Sequence, residues 1–523
     1  MMNVAFDPWI PVVYLDGRKK PYASIIDIFT EGSLIADLAV RPHERVAVMR
    51  LLLCVAHAAL DGPKTLDDWE EVPEKLPVAA KKYLEDWNRK GVFELFDKNK
   101  PFLQVAELEP VPLKKKKNKD ENDEEESGWG KISKLDFSLS SGAASTLFDQ
   151  RAEKENPRTF HESKLPLMMI TFQNFATRGL TPQCLWNKDI TEKSAKDAPC
   201  ISAAMYHTFL RGKNIFETVH LNILSKADLN NHYIPFGNSW FGRPIWEKMP
   251  ATKTETESTR TFLGRLVPFS RAMKISSDCS TFLLGEGLRY QPFPESPREI
   301  SASELVIKTR KKIERFLVGA HAEKQIWREL TAILQYNLTE IIGRPLVLSN
   351  VIESKSFDIW VGALIPKPGK QDIIDNVESN FHIFEEMRKT TGFEVYRKEV
   401  DRSDKIASNL GKALSTYRYA LDPTGETKVG AGAFQHYWTT VENNLLLLRK
   451  HIEALNTNDF ETAGKAWHAM LYKSARGAYS LVCSRETPRQ IRAFALGWQK
   501  LNGTSEKNNK DNENSNKQKE ENE

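Results

Sequence analysis

Residues 460–481 read FETAGKAWHAMLYKSARGAYSL, and this stretch decides the fold of the C-terminal part of the chain. Its apolar side chains recur every three or four residues, which is the period of an amphipathic α-helix. Three neighbouring stretches carry the same pattern, and short connections between four such helices favour a bundle. We therefore expect a four-helix bundle over residues 377–502. The stripes consist of Ile406, Leu410, Leu414, Tyr417 and Leu421; Phe434, Trp438, Val441, Leu445, Leu448, Ile452 and Leu455; Phe460, Ala463, Trp467, Met470, Ser474, Ala478 and Leu481; and Ile491, Phe494, Ala495 and Trp498.

Two helix starts in this part are marked by capping residues. Asn458, with Glu461 three residues later, resembles a capping box, in which the two side chains bind backbone N–H groups reciprocally. Thr487 followed by Pro488 is typical of an N-cap with proline at the first helical position. Helices are therefore expected to begin just after residues 458 and 487.

The N-terminal part mixes strand and helix patterns. Residues 9–15 (WIPVVYL) run into Asp16-Gly17, a dipeptide that favours a hairpin turn. Residues 43–60 (HERVAVMRLLLCVAHAAL) are apolar on several faces, which predicts a buried helix. We expect Arg45 and Arg50 of this helix to reach the surface or a partner.

Further along, residues 307–317 (IKTRKKIERFL) predict a basic amphipathic helix, residues 327–330 the start of another helix, and residues 357–364 (FDIWVGAL) a strand. The fold class is therefore α+β or mixed. A large, irregular α/β domain is expected over residues 1–376, ahead of the helical bundle.

Two segments are strongly charged. Residues 114–126 carry five lysines and six acidic residues, and residues 503–523 carry four lysines and six acidic residues. Neither can bury enough apolar area to offset the entropy of ordering, so we expect a disordered loop over about 114–127 and a disordered tail. The remainder has 65 basic and 58 acidic residues, a mild excess that is compatible with a nucleic-acid partner.

Signatures of catalysis are missing from the sequence. It has no GxxxxGK[ST] phosphate loop, no HExxH and no GxSxG, and its five cysteines form no CxxC pair. A membrane-spanning helix needs about 18 consecutive apolar residues, and no apolar stretch of the sequence approaches that length. No secretory signal is recognisable. We expect a cytoplasmic protein with no metal, no cofactor and no membrane partner, in which binding is favoured over catalysis.

Two polar loops are candidates for a binding surface. Residues 194–199 (SAKDAP) combine small side chains, which permit close approach of the backbone, with the single lysine Lys196. Lys370 and Gln371 follow residues 366–369 (PKPG) at the predicted tip of a turn. Composition alone leaves open that both loops are ordinary turns.

Several stretches together resemble the CasA family, the large subunit of the type I-E CRISPR surveillance complex Cascade. The resemblance covers nearly the whole chain outside the charged loop and tail, and the motifs occur in the family's order. They are residues 7–12 (DPWIPV), 42–47 (PHERVA), 100–104 (KPFLQ), 146–149 (TLFD), 194–199 (SAKDAP), 287–290 (GLRY), 327–330 (WREL) and 437–442 (YWTTVE).

This resemblance implies an irregular α/β domain followed by a four-helix bundle, and a role without catalysis. Members recognise the protospacer-adjacent motif (PAM) of target duplex DNA from the minor groove. They promote strand separation, so that the guide RNA pairs and an R-loop forms, and they help to recruit a helicase-nuclease. The implied partners are other Cascade subunits, the guide RNA, target double-stranded DNA and that helicase-nuclease.

The resemblance also implies roles for individual residues. The family's minor-groove loop falls at Ser194, Ala195, Lys196 and Asp197, with serine or alanine in place of a glycine. The strand-separating wedge falls at Lys370 or Gln371, and the groove-contacting lysine falls at Lys274. A loop that reaches the guide RNA and neighbouring subunits is similar to Leu147, Phe148 and Asp149.

Two other functions stay open from the sequence alone. A metal-dependent nuclease would bring together carboxylates that are dispersed along the chain. A pure scaffold would use residues 194–199 and 370–371 only as turns.

Overall fold

The computed structural model describes residues 2–111, 128–139, 158–308, 313–334, 343–351, 356–367, 372–424, 430 and 432–503. The chain forms two compact units, Met1–Ile383 and Phe384–Glu523. The predicted boundary between residues 376 and 377 lies inside a strand, Ile373–Ile383, which belongs to the first unit. Among the residues described, no helix is long and apolar enough to cross a membrane.

The first unit contains the strands and ten of the α-helices described. Its strands are β1 (Ile10–Tyr14), β2 (Tyr22–Ala23), β3 (Ile35–Leu38), β4 (Glu109–Pro110), β5 (Gly130–Lys131), β6 (Gly179–Leu180), β7 (Cys184–Trp186), β8 (Asp189–Ile190), β9 (Ser194–Ala195), β10 (His207–Arg211), β11 (Arg271–Ile275), β12 (Thr281–Glu286), β13 (Glu304–Lys308), β14 (Ile313–Leu317), β15 (Phe357–Pro366) and β16 (Ile373–Ile383). Its helices are α1 (Ile25–Thr30), α2 (Pro42–Leu60), α3 (Leu66–Glu70), α4 (Val72–Asn88), α5 (Leu165–Phe175), α6 (Ile215–Leu221), α7 (Lys226–Tyr233), α8 (Glu257–Arg260), α9 (Phe262–Leu266) and α10 (Ile326–Leu334).

These strands form several small antiparallel sheets. Three-stranded sheets have the orders β2-β1-β3, β10-β15-β16, β11-β12-β5 and β4-β7-β8, and β6-β9 and β13-β14 are two-stranded. The N-terminal strand prediction is confirmed, since β1 pairs with β2 through Ile10 and Ala23. The predicted strand at 357–364 is also confirmed, as part of β15.

Helix α2 is the centre of the first unit's core. It is buried on every face from Pro42 to His57, as its apolar sequence predicts. The expectation that Arg45 and Arg50 reach the surface or a partner is wrong, because both are buried and ion-paired. The Nη1 of Arg45 lies 2.7 Å from Asp37, and the Nη1 of Arg50 lies 2.7 Å from Glu299.

The helix predicted over residues 307–317 is wrong, because this stretch contributes to the β13–β14 hairpin. Ile307 is opposite Glu314, and Val306 is opposite Arg315. The β-branched residues favour strands, and Arg315 crosses to the β13 residue Glu304, with 2.8 Å between Nη2 and Oε1. The helix predicted from residue 327 is confirmed as α10.

The second unit is helical. It comprises α11 (Glu385–Arg388), α12 (Thr390–Leu421), α13 (Ala433–Glu442), α14 (Leu445–Glu453), α15 (Phe460–Val482) and α16 (Pro488–Leu501). Helix α12 packs against α14, α15 and α16, and α15 also packs against α13 and α14. The second predicted stripe is divided between α13 and α14, which are separated by Asn443 and Asn444. The mixed fold class with a C-terminal helical bundle is therefore confirmed.

Two details of the bundle differ from the prediction. Helix α15 begins at Phe460, and its N-cap Asp459 makes no side-chain cap bond, so the capping box at Asn458 is wrong. Leu481 and Ile491, assigned to apolar stripes, are more than half exposed. The cap at Thr487 is confirmed, and Gln490 completes its capping box.

Candidate nucleic-acid interface

The loop at 194–197 starts on a short two-stranded antiparallel sheet. In this sheet β9 pairs with β6, Ala195 lies opposite Gly179, and the N–H of Thr181 donates to the carbonyl of Lys193 over 3.0 Å. Ala195 is buried, whereas Ser194 and Lys196 are exposed. Burial of the small residue Ala195 therefore fixes the backbone of residues 194–196 (SAK), while the hydroxyl of Ser194 and the ammonium group of Lys196 are exposed to solvent.

Asp197 anchors the far end of this loop. Its Oδ1 accepts a hydrogen bond of 2.7 Å from the backbone N–H of Arg178, and its Oδ2 lies 4.0 Å from the Arg178 Nε. The next residue, Ala198, donates its N–H to the carbonyl of Ala176 over 2.8 Å. The loop is consequently held at both ends by the segment 176–181.

Arg271, the first residue of β11, supports the same segment from inside. Its side chain is buried and donates over 2.8 Å both to the carbonyl of Thr177 and to that of Ser270. Burial lowers the pKa of Arg271 to about 10, and the charge of Asp197 opposes that shift. Sequence reasoning missed this residue because an arginine within an apolar strand carries no local signal of what it contacts.

A cavity of about 150 Å³ lies beside the loop. Lys196 and Asp197 of the loop line this cavity, and so do Tyr290, Arg265 and Glu299. The loop thus adjoins a pocket that is also lined by buried charged residues.

That buried charge is an ion-paired triad. Glu299 accepts from the Nη1 of Arg50 at 2.7 Å and from the Nε of Arg265 at 3.2 Å, and all three side chains are nearly inaccessible. Burial alone would raise the pKa of Glu299, but the two guanidinium groups dominate and hold it at about 2. The triad fixes α2 and α9 against the chain around residue 299.

The predicted groove lysine, Lys274, is half-buried on β11, and its Nζ donates to the carbonyl of Leu108 over 3.5 Å. Because side chains alternate along a strand, Lys274 and Arg271 lie on opposite faces of β11. The structure therefore gathers Arg178, Lys196, Asp197 and Arg271 around one loop, and it places Lys274 beside the chain at residue 108.

The other predicted site residues lie outside the described residues: Lys370, Gln371, Leu147, Phe148 and Asp149. The hairpin on either side of 370–371 is described. Strands β15 and β16 pair from Phe357–Ile383 to Pro366–Ile373, and the N–H of Lys367 donates to the carbonyl of Asp372 over 2.8 Å.

No group of three or more histidine, cysteine, aspartate or glutamate side chains suited to a metal ion occurs in the part of the chain that the structure describes. The site as described offers an exposed cation, a hydroxyl and backbone groups on a braced loop. Such an arrangement can bind a polyanion by charge and hydrogen bonds.

Comparison with known proteins supports an assignment to a family. The model of the CRISPR-associated protein Cse1 family matches residues 3–478. A curated relative, CRISPR-associated protein CasA/Cse1 of Thermus thermophilus, is 27% identical over 350 residues. That match spans 64% of this chain and 60% of the relative, which is less than two thirds of the relative's length.

Solved structures share the fold at low sequence identity. CasA (Cse1) of Thermus thermophilus matches with a TM-score of 0.68 and 19% identity, covering 96% of this chain and 99% of that one. Cse1 of Acidimicrobium ferrooxidans matches with a TM-score of 0.70 and 17% identity, covering 96% and 97%. A chain of a CRISPR RNA-guided surveillance complex matches with a TM-score of 0.71 and 16% identity, covering 96% and 99%. Since the family model spans most of the sequence, the chain belongs to the CRISPR-associated Cse1 family.

Proposed function

We propose that this chain is the non-catalytic large subunit of a type I-E CRISPR RNA-guided surveillance complex. In this role it recognises the PAM of target duplex DNA from the minor groove, promotes strand separation and R-loop formation, and helps to recruit the helicase-nuclease. The observation that carries the proposal is the braced loop at 194–197, with Ser194 and Lys196 exposed, in a member of the Cse1 family.

The loop has the properties that minor-groove reading needs. The groove is about 6 Å wide and presents a degenerate pattern of donors and acceptors, so small side chains and backbone groups suit it. Ser194 and Ala195 are small, and Lys196 adds one cation for phosphate or groove acceptors. The bonds to residues 176–181 order the loop before DNA arrives, which reduces the entropy lost on binding.

Strand separation would follow at a second element, the wedge assigned to Lys370 and Gln371. Unstacking one base step costs a few kcal/mol, which backbone contacts can offset. In RNA-guided recognition the guide–target duplex is about as stable as the DNA duplex it replaces, so a small protein contribution at the first base pairs decides whether pairing starts. The wedge would make that contribution next to the PAM.

Two further contacts complete the proposal. Lys274 would bind the groove or a phosphate nearby, and Leu147, Phe148 and Asp149 would contact the guide RNA or neighbouring Cascade subunits.

Cleavage of the target would be carried out by the recruited helicase-nuclease and not by this chain. The purified chain with Mg²⁺ or Mn²⁺ is therefore expected to leave DNA and RNA intact, and divalent-dependent cutting would favour the nuclease alternative.

The proposal is tested by a gel shift of PAM-bearing duplex DNA with the guide-loaded remainder of the complex, with and without this chain. A duplex with a scrambled PAM runs beside it at the same salt concentration, because phosphate contacts make the affinity salt-dependent. Binding that requires both the chain and the PAM supports the proposal. Equal tightening of both duplexes would refute PAM reading.

Variants then locate the contact. Lys196→Ala is expected to weaken PAM-dependent binding by about 1–3 kcal/mol, the value of one good base contact. Lys81→Ala, which removes an exposed lysine of α4, is the matched control for loss of one positive charge. Equal losses in both variants would indicate a general electrostatic effect.

A further inference from the structure

The two-stranded sheet β6–β9, on which the proposed minor-groove loop starts, also carries a leucine that the proposed function does not use. Leu180 has an exposed fraction of 81%, the highest among the large apolar side chains that the structure describes. Single exposed leucines are common on protein surfaces, so this exposure alone does not indicate a function. The position of Leu180 beside the loop does.

Leu180 and Ser194 are directly opposite each other in the antiparallel pair of β6 and β9. Side chains of directly opposed residues lie on the same face of a sheet, with about 4.5–5.5 Å between their Cβ atoms. Both side chains are exposed, whereas Ala195, which points to the other face, is buried. The hydroxyl of Ser194 and the apolar side chain of Leu180 therefore leave the same face of the sheet side by side.

Cations are in excess around this pair of side chains. Three exposed residues next to it in sequence are Arg178, Lys193 and Lys196. Arg178 and Lys196 also line one cavity together. The two carboxylates of the same segments have partners, since Asp197 accepts from the backbone N–H of Arg178 and Glu192 lies 3.5 Å from the Nζ of Lys253. The face therefore combines an apolar side chain and a hydroxyl with a surplus of positive charge.

We propose that Leu180 enters the minor groove of the target duplex beside Ser194 and packs against the deoxyribose rings that wall the groove. This inference rests on the proposed function and adds an apolar contact to it. Proteins that bind the minor groove combine arginine and lysine with apolar side chains, leucine among them. The groove is about 6 Å wide, so one side chain of this size fits between the two rows of phosphates.

A neighbouring protein subunit is the other surface that would cover an exposed leucine. The charges favour DNA, because the cations beside Leu180 match the phosphates at the edges of the groove. Ser194, its direct neighbour across the sheet, belongs to the loop assigned to the groove. A subunit contact would make Leu180 matter for assembly of the complex in the absence of DNA, which can be measured separately.

The first measurement is the affinity of the assembled complex for PAM-bearing duplex DNA at several salt concentrations. Leu180→Ala should weaken binding roughly tenfold, because its apolar area is no longer buried on binding. The slope of log affinity against log salt concentration should stay unchanged, since an apolar side chain displaces no counterions. Leu180→Met, which keeps an apolar side chain of similar volume, should bind within about threefold of wild type.

Val78→Ala is the matched control, because Val78 on α4 is also a highly exposed apolar residue, with an exposed fraction of 74%. It should bind DNA within about twofold of wild type.

The second measurement is a hydroxyl-radical footprint at saturating protein concentration. Hydroxyl radicals attack deoxyribose from the minor groove, so a side chain packed on a sugar protects that sugar. Leu180→Ala should lose protection at sugars beside the PAM that wild type and Val78→Ala both protect.

Failure of this inference and failure of the proposed function are distinguishable. If the wild-type complex requires the PAM but Leu180→Ala keeps its affinity or its sugar protection, the leucine contact is overturned and PAM reading stands. If the wild-type complex binds PAM and scrambled duplexes equally, PAM reading is refuted, and the footprint of Leu180→Ala still decides the leucine contact. Weaker incorporation of Leu180→Ala into the complex without DNA would assign Leu180 to a subunit interface and overturn the inference.

Discussion

Replacing Glu299 by glutamine removes a carboxylate that two buried guanidinium groups share. Arg50 and Arg265 hold the pKa of Glu299 at about 2, whereas its ordinary value is 4.5. A lowered folded-state pKa means that the charged carboxylate stabilises the fold above pH 4.5. This contribution is lost as the pH falls from 4.5 towards 2. The shift corresponds to about 3 kcal/mol at neutral pH. Because the variant also leaves two buried arginines without a counter-ion, the expected loss is about 3–5 kcal/mol.

The assay is urea denaturation of the full chain at pH 7, with tryptophan fluorescence as the signal for unfolding. The matched control is Glu257→Gln, which breaks a half-exposed ion pair of 3.4 Å with Lys248 and should cost less than about 1 kcal/mol. Repeating both titrations at lower pH tests the cause, since the gap between wild type and Glu299→Gln should shrink below pH 4.5. A loss under about 1 kcal/mol at pH 7, or a gap that does not depend on pH, would refute this account of the triad.

Three further predictions concern stability and can be checked by denaturation. Two of them use purified variants, and the third uses the unchanged chain at several pH values. Thr487→Ala removes a side-chain N-cap of α16 and should cost about 1 kcal/mol; an unchanged midpoint would show that the cap is dispensable. Gly497→Ala should cost about 1–3 kcal/mol, because a Cβ there meets the Tyr479 hydroxyl and lies 2.7 Å from the carbonyl of Ala413. Its control Gly477→Ala, whose nearest neighbour is 3.8 Å away, should be neutral or stabilising by up to about 1 kcal/mol. Burial lowers the pKa of three histidines to between about 3 and about 4, so the unfolded chain takes up their protons first. Stability should fall by about 3 kcal/mol for each between pH 6.5 and pH 4, and a flat pH profile would contradict this. These are His43, His57 and His207.

Elements whose sequence periodicity matches their burial were predictable. Helix α2 is apolar on all faces and lies in the core, and α12 buries Ile406, Leu410, Leu414 and Tyr417 on one face. The stripe of α16 was assigned less well, because Ala493 and Gly497 are the residues that pack while Ile491 is exposed. Small residues in a close helix contact give little hydrophobic signal.

The hairpin β13–β14 shows a second limit. The lysines and arginines of residues 307–317 fit the period of a helix. The two strands are nevertheless stabilised by pairing with each other and by the Arg315–Glu304 contact across the hairpin. Long-range pairing overrides local propensity, and a single sequence does not show it.

The candidate site likewise has one part that the sequence predicted and one part that it did not. The loop at 194–197 was found from its composition and from the family resemblance. The residues that brace it, Arg178 and Arg271, do so through contacts across the fold. The contacts of a buried polar side chain depend on tertiary neighbours, and its own sequence stretch does not encode them.

The central claim is that this chain reads the PAM from the minor groove, and base analogues test it most directly. Exchange of guanine for inosine, or of adenine for 2,6-diaminopurine, alters the minor-groove edge of a pair by one amino group. Exchange of purines for their 7-deaza forms removes a major-groove acceptor instead. The measurement is the affinity of the assembled complex for duplexes with each analogue within the PAM, at fixed salt concentration. If the chain reads the PAM from the minor groove, the minor-groove analogues change the affinity by about 1–3 kcal/mol and the 7-deaza analogues leave it unchanged. The opposite pattern would contradict it.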